Sequence, residues 1–152
     1  MSKTPAEQLS IAISIASKGH EGVLDKGGSP YILHPLHVMN AVAHLGYLCM
    51  AAGVLHDTIE DTDTTAQNLR DAGLEENVVM TVLAVSRPNG VLYDDFIKAI
   101  GATPGIVGTW ARAIKLADIE HNSTVTRLKG VAKKDFDRLQ KYVYAYQYLK
   151  EV

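Results

Sequence analysis

Apolar residues recur along this chain at helical spacing, and prolines, glycines and capping residues cut the pattern into successive segments. Thr4-Pro5-Ala6-Glu7 has the form of a capping box with proline at the first helical position. Leu9, Ala12, Ile13 and Ala16 follow at i, i+3, i+4 and i+7. Ile11, Ile13 and Ile15 also alternate as in a strand, but the capping box and the alanines decide for helix. The same reasoning predicts helices from Pro35 to about Leu45 and from about Leu48 to Glu60. A short one opens at Thr64-Thr65-Ala66-Gln67 and stops at Gly73. Four more span Leu74–Ser86, Leu92–Ile100, Pro104 to about Leu128, and Ala132 to about Leu149. Residues 22–30 read as a loop, because Gly22, Gly27, Gly28, Ser29 and Pro30 punctuate them. No repeat, low-complexity tract or linker interrupts the series, so the expectation is an all-α bundle with residues 1–152 as one domain.

Charge narrows the function. Fifteen basic residues against seventeen acidic ones give a net charge of −2, which disfavours bulk binding to nucleic acid or anionic membrane. The single cysteine, Cys49, excludes an internal disulfide and a zinc site built on several thiolates, and suits a reducing compartment. No apolar run reaches the roughly 18 residues of a membrane span. The first residues lack the basic start and apolar block of a signal peptide, so a cytoplasmic location is expected. Oligomeric state is left open.

The informative residues are polar ones inside apolar helical segments, where burial costs free energy unless the group is paired or bound to metal. His34 lies in Tyr31-Ile32-Leu33-His34-Pro35-Leu36-His37; alone it reads equally as a capping or half-buried histidine. Ala51-Ala52-Gly53-Val54-Leu55 runs into His56-Asp57-Thr58-Ile59-Glu60-Asp61, and Asp57, Glu60 and Asp61 at i, i+3, i+4 would share one helix face. Like charges so placed repel unless a cation lies among them; a solvated acidic helix end is the plain alternative. Lys115, Asp118 and Asn122 form a polar stripe at i, i+3, i+7, either a cavity wall or a partly buried ion pair. His20 continues the apolar face of the first helix and reads as a core or supporting histidine, and His37 and His44 as surface or packing residues. Arg87 and Arg127 could reach a phosphate, but each alone reads better as solvent-facing. Together His34, His56, Asp57 and Asp118 make a mixed imidazole and carboxylate set suited to a first-row divalent cation, with Mn, Fe, Co and Zn all allowed. Glu60 and Asp61 remain, one turn away, to orient or deprotonate a water.

Four separated segments, Gly19-His20-Glu21-Gly22, Pro30-Tyr31-Ile32-Leu33-His34-Pro35-Leu36, Leu55-His56-Asp57-Thr58-Ile59-Glu60-Asp61-Thr62 and Ile114-Lys115-Leu116-Ala117-Asp118 with His121-Asn122, occur in the order of the HD phosphohydrolase superfamily. The chain resembles most the hydrolase domain of the RelA/SpoT alarmone enzymes and the small stand-alone alarmone hydrolases. The resemblance implies an all-α HD fold with one divalent metal, commonly manganese, on His34, His56, Asp57 and Asp118. It implies Glu60 and Asp61 as catalytic acids and Asn122 as a nucleotide contact. Lys26, Tyr31, Lys115, Asp25 and Arg127 complete the expected substrate residues. The expected substrate is a phosphorylated nucleotide, foremost the 3′-pyrophosphate of (p)ppGpp. Alternatives are the same chemistry on a nucleoside monophosphate or NADPH, or a silent HD fold that binds nucleotide or protein. The chain departs from the family where Asp25 replaces an arginine before Lys26, where Ile119 replaces the arginine after Asp118, and where Ser123-Thr124-Val125 replaces Met-Arg-Thr. These changes bear on substrate choice rather than reaction class.

Overall fold

Thr4 begins the fold as expected: its hydroxyl accepts from the Glu7 N–H at 3.2 Å and starts α1 (Pro5–Gly19). The computed structural model describes residues 2–152, the side chain of Arg127 excepted, so the expectation that this side chain binds substrate lies outside what is described. The remaining helices are α2 (Leu33–Ala41), α3 (Tyr47–Val54), α4 (Thr58–Asp61), α5 (Ala66–Asp71), α6 (Glu76–Ala84), α7 (Tyr93–Ala102), α8 (Gly105–Asn122) and α9 (Lys133–Glu151). Single 3₁₀ turns follow α2 and α8, and there is no strand among the described residues, only an isolated bridge between Leu24 and Pro30.

Helix α3 is the axis. Cys49, Ala51, Ala52, Gly53 and Val54 are all buried, and α1, α2, α6 and α8 pack around them. Small side chains let neighbours approach. A Cβ on Gly53 would stand 3.3 Å from a Val42 methyl and 3.4 Å from the Met39 Cα, so the glycine lets the α2 backbone lie close against α3. Val38, Val42, Val54, Leu55, Val78, Val82, Ile114 and Ile119 fill the core. The all-α bundle expected from the sequence is the observed fold class.

Three expected boundaries move for physical reasons. The helix predicted over 48–60 is broken at residues 55–57. There the His56 ring takes the Gly53 carbonyl at 2.8 Å and the Thr58 hydroxyl takes the Leu55 carbonyl at 2.8 Å, consuming acceptors a continuous helix would use. The helix predicted to reach Leu128 stops at Asn122, where Ser123 Oγ donates to the Ile119 carbonyl at 2.7 Å and the β-branched run Thr124-Val125-Thr126 disfavours continuation. Helix α2 starts at Leu33, two residues before Pro35; the proline sits in the first turn, where its missing N–H costs nothing. The second capping box is shifted by one residue, to Thr65 with Asn68.

Candidate metal centre and nucleotide cavity

The break after α3 turns His56 and Asp57 inward, toward His34 on α2 and Asp118 on α8. All four are buried. His34 Nε2 lies 2.9 Å from Asp118 Oδ1 and 3.3 Å from His56 Nε2, and His56 Nε2 lies 3.4 Å from Asp118 Oδ1. His34, His56 and Asp118 thus present one donor atom each within bonding reach of a single ion. Asp57 Oδ2 flanks them, 3.7 Å from His56 Nε2. Donor chemistry also fits a metal. The His56 Nδ1–H donates to the Gly53 carbonyl, so Nε2 is the nitrogen that faces the cluster and would offer its lone pair once a cation displaces its proton. His34 Nδ1 is occupied at 2.7 Å by His121 Nδ1, so its Nε2 likewise faces inward.

Asp57 is held from outside the cluster. His20 Nε2 lies 3.1 Å from its Oδ1, and the Tyr31 hydroxyl donates to its Oδ2. His20 is thus the supporting histidine the sequence suggested. Asp57 is the buried N-cap residue of α4 rather than part of a continuous helix, yet with the exposed Glu60 and Asp61 it still faces one cavity. Burial opposes its ionisation, but His56, His20 and the Tyr31 hydroxyl outweigh that and pull its carboxyl down to about 2. For His56, burial works against the charged form, yet Asp57 and Asp118 hold the ring up at about 9. Burial and the Asp57 charge raise Tyr31, so its hydroxyl keeps its proton.

On α8 the polar stripe is a wall of the site. Asp118 accepts from Lys115 Nζ and from Asn122 Nδ2, each at 2.8 Å. Burial would raise the Asp118 carboxyl, but Lys115 and the two histidines drive it well below the carboxylate range. Both of the alternatives open for the stripe are realised: the ion pair forms, and it faces a cavity.

That cavity, of about 200 Å³, is lined by Tyr31, His56, Asp57, Glu60, Asp61, Lys115 and Asp118, together with Arg87, Tyr93 and Lys141. A second cavity of about 390 Å³ is lined by Asp25, Lys26, Tyr31 and Asn122, with apolar Val23, Leu24 and Leu128. Tyr31, Asn122 and Tyr142 border both, so the two adjoin. Burial, then the Asp57 and Glu60 charges, raise the Asp61 carboxyl, which suits a group that holds and releases a proton. The Glu60 carboxylate accepts from the Arg87 backbone N–H. Asp25 serves its own loop: its Oδ1 accepts from the Gly27 and Ser29 N–H groups, both at 2.9 Å. The same residue also lines the larger cavity, where it was expected to meet substrate.

Sequence reasoning missed the contributions of Tyr93, Arg138, Lys141 and Tyr142, and set Arg87 aside as solvent-facing. Tyr142 was visible only as an apolar-face residue of α9, and nothing in the local pattern marks Lys141 or Tyr93.

No family model matches the chain. It is 35% identical over 127 residues to a GTP pyrophosphokinase of Streptomyces coelicolor, covering 79% of this chain and 15% of that protein. It is 37% identical over 90 residues to the guanosine-3′,5′-bis(diphosphate) 3′-pyrophosphohydrolase of Aquifex aeolicus, covering 58% of this chain and 13% of the relative. It is 44% identical over 63 residues to the bifunctional (p)ppGpp synthase/hydrolase RelA of Mycobacterium tuberculosis, covering 38% and 8%. The chain thus spans less than a fifth of the length of these relatives. A solved structure of a metazoan SpoT ortholog described as hydrolysing ppGpp superposes with a TM-score of 0.75 at 19% identity, over 99% of this chain and 96% of that one. In sequence the chain resembles the RelA/SpoT alarmone enzymes, and in fold it is an HD-type helical bundle like that of the metazoan protein.

Proposed function

We propose that residues 1–152 act as one metal-dependent phosphohydrolase domain that removes the 3′-pyrophosphate from a (p)ppGpp-type nucleotide. The observation that carries this reading is the meeting of His34, His56 and Asp118, from three separate segments, on a cavity that also holds Glu60, Asp61 and Lys115. His34, His56, Asp118 and the flanking Asp57 would hold one divalent cation, manganese by the family resemblance. When bound, that ion supplies a polarised phosphoryl oxygen and a water acidified toward neutrality.

The chain's own residues do the rest. Asp61, with its raised carboxyl, takes a proton from the attacking water. Asp61 then returns that proton to the departing oxygen, while Glu60, steadied by the Arg87 N–H, orients the water. Lys115, beside Asp118, neutralises charge on the phosphoryl group, and Asn122 borders the sugar. Lys26 and the apolar Val23, Leu24 and Leu128 line the adjoining cavity, where a base and its remaining phosphates fit. Tyr31 and His20 orient Asp57. Among the described residues no helix is long and apolar enough to cross a membrane, and the buried free Cys49 suits the cytoplasm.

The test is incubation with ppGpp and manganese, scored for pyrophosphate and guanosine diphosphate. Release of both in equal amounts is expected. Absence of cleavage by metal-loaded protein refutes the reading. One observation favours a second substrate class: the loop that holds a base-stacking arginine in the family here carries Asp25, folded onto its own amides. Cleavage of NADPH or a nucleoside monophosphate in preference to ppGpp would decide for it.

A further inference from the structure

Arg87 and Lys141 belong to no pair the reaction uses. Arg87 follows α6, Lys141 sits near the middle of α9, and both line the cavity that contains Glu60, Asp61 and Lys115. They converge on one ring: the Arg87 guanidinium lies 5.8 Å from the Tyr93 centroid and Lys141 Nζ 4.4 Å from it. Lys141 Nζ is also 5.7 Å from the Tyr142 centroid. Among the described residues neither side chain has a carboxylate within ion-pair distance, whereas Lys115 is bonded to Asp118 and Arg138 to Asp135. Burial and then the charges of Arg87, Arg138 and Lys115 lower the Lys141 ammonium, with Asp94 opposing, so the positive charge around it is not fully compensated.

The lining also carries the carboxylates of Asp57, Glu60, Asp61 and Asp118, so the cations without an ion pair are confined to the Tyr93 side, and there they call for an anion that reaches beyond one phosphate. A single phosphoryl group beside His34, His56 and Asp118 meets Lys115, which is already in contact with Asp118. Arg87 and Lys141 stand at the Tyr93 side of the same cavity and would face solvent if nothing lay beyond that first phosphoryl. We propose that Arg87 and Lys141, braced on Tyr93, form the subsite for the outer phosphoryl of a diphosphate whose inner phosphoryl lies at the metal centre. The pair therefore selects pyrophosphorylated over monophosphorylated substrates and holds pyrophosphate after cleavage. The inference rests on the phosphohydrolase reading for the placement of the inner group, but the subsite can be measured without turnover.

The probes are inorganic pyrophosphate and inorganic phosphate, titrated calorimetrically into the protein in manganese buffer. The wild type is expected to bind pyrophosphate at least about tenfold more tightly than phosphate, the scale of one charge-assisted hydrogen bond. Arg87→Gln and Lys141→Gln should each weaken pyrophosphate binding by about tenfold and leave phosphate binding within a factor of about two. Both side chains are exposed, so unchanged melting temperatures are expected to verify folding. Wild-type protein without the preference, or variants that retain it, overturns the subsite. Kinetics separates the two proposals. Pyrophosphate binding that depends on Arg87 and Lys141, in a protein that cleaves no nucleotide, supports the subsite and refutes the function. Nucleotide cleavage with an unchanged KM in both variants does the reverse.

Discussion

Asp118 concentrates more of the site than any other side chain, so Asp118→Asn offers a quantitative test. The substitution keeps shape and removes charge. In the wild type the carboxylate accepts from Lys115 Nζ at 2.8 Å and Asn122 Nδ2 at 2.8 Å, with His34 Nε2 2.9 Å away. An amide can serve one of these donors through its oxygen, but its NH₂ faces at least one other donor. The Lys115 side chain, only 14% exposed, then lacks its counter-charge. Removing one partner of a buried pair costs about 3–5 kcal/mol. Lys115 also lies over the Phe96 ring at 5.3 Å, which offsets part of the loss, so the lower end, about 3 kcal/mol, is the expected value. In a chain of 152 residues this lowers Tm by about 6–12 °C. The assay is thermal unfolding in chelator, so that metal loss does not enter, with Lys115→Met and the double variant completing a cycle. Lys115→Met should restore part of the loss, because no buried ammonium is then stranded. The sign with pH follows from the depressed carboxyl: its stabilisation is present above the unfolded value near 4 and disappears as pH falls through the folded one. The wild-type advantage over Asp118→Asn should therefore shrink in acid. A Tm change below about 2 °C at neutral pH, or an advantage that grows in acid, would refute the pairing argument.

The wild type should bind one divalent ion per chain, and His56→Ala, which removes a donor and the Gly53 bond, should abolish tight binding by metal analysis of the folded variant. Glu60→Gln and Asp61→Asn should retain the metal and lose about 10²–10⁴ in turnover; normal rates in both would remove the pair from the mechanism. Because the Asp61 carboxyl is raised, the acid limb of kcat against pH should lie above the ordinary aspartate range and vanish in Asp61→Asn, as pH–rate profiles would show. Asp25→Arg should lose the loop bonds to Gly27 and Ser29 while adding a cation at the cavity mouth, so KM for ppGpp should change with kcat nearly constant; an unchanged KM would show that this loop does not touch substrate.

The residues that meet at the site were legible because each breaks a rule that apolar helices obey. His34, His56 and Asp118 are costly to bury, and that cost marks them in the sequence before any distance is known. The helix pattern of α1, with its cap at Thr4, was equally plain. The break at residues 55–57 was not, because it depends on side chains bonding to carbonyls three residues back, a competition that periodicity does not register. Lys141 was hidden for another reason. A lysine on a helix obeys every local expectation, and only the packing of α9 against α7 and α8 carries it to the cavity. The loop bonds of Asp25 were hidden in the same way: its residue type does not announce that one oxygen holds the Gly27 and Ser29 amides while the residue lines the larger cavity.

The separation in sequence of the cluster has a consequence for folding order. His34 and Asp118 are 84 positions apart, and His34 and His56 are 22 apart. Helices α1 to α3 are near neighbours along the chain and can condense early, whereas closing the long loop that brings α8 onto α2 is entropically slow. Until that docking, Asp118 keeps its water and the two imidazoles lack their carboxylate. A cation then has no complete binding place in the unfolded or half-condensed chain, so it binds only the native state and draws the equilibrium toward it. At a free metal concentration 100 times Kd this linkage adds about 2.7 kcal/mol. Melting temperature should therefore climb with the logarithm of metal concentration, and the added metal should act mainly by slowing unfolding rather than by speeding collapse.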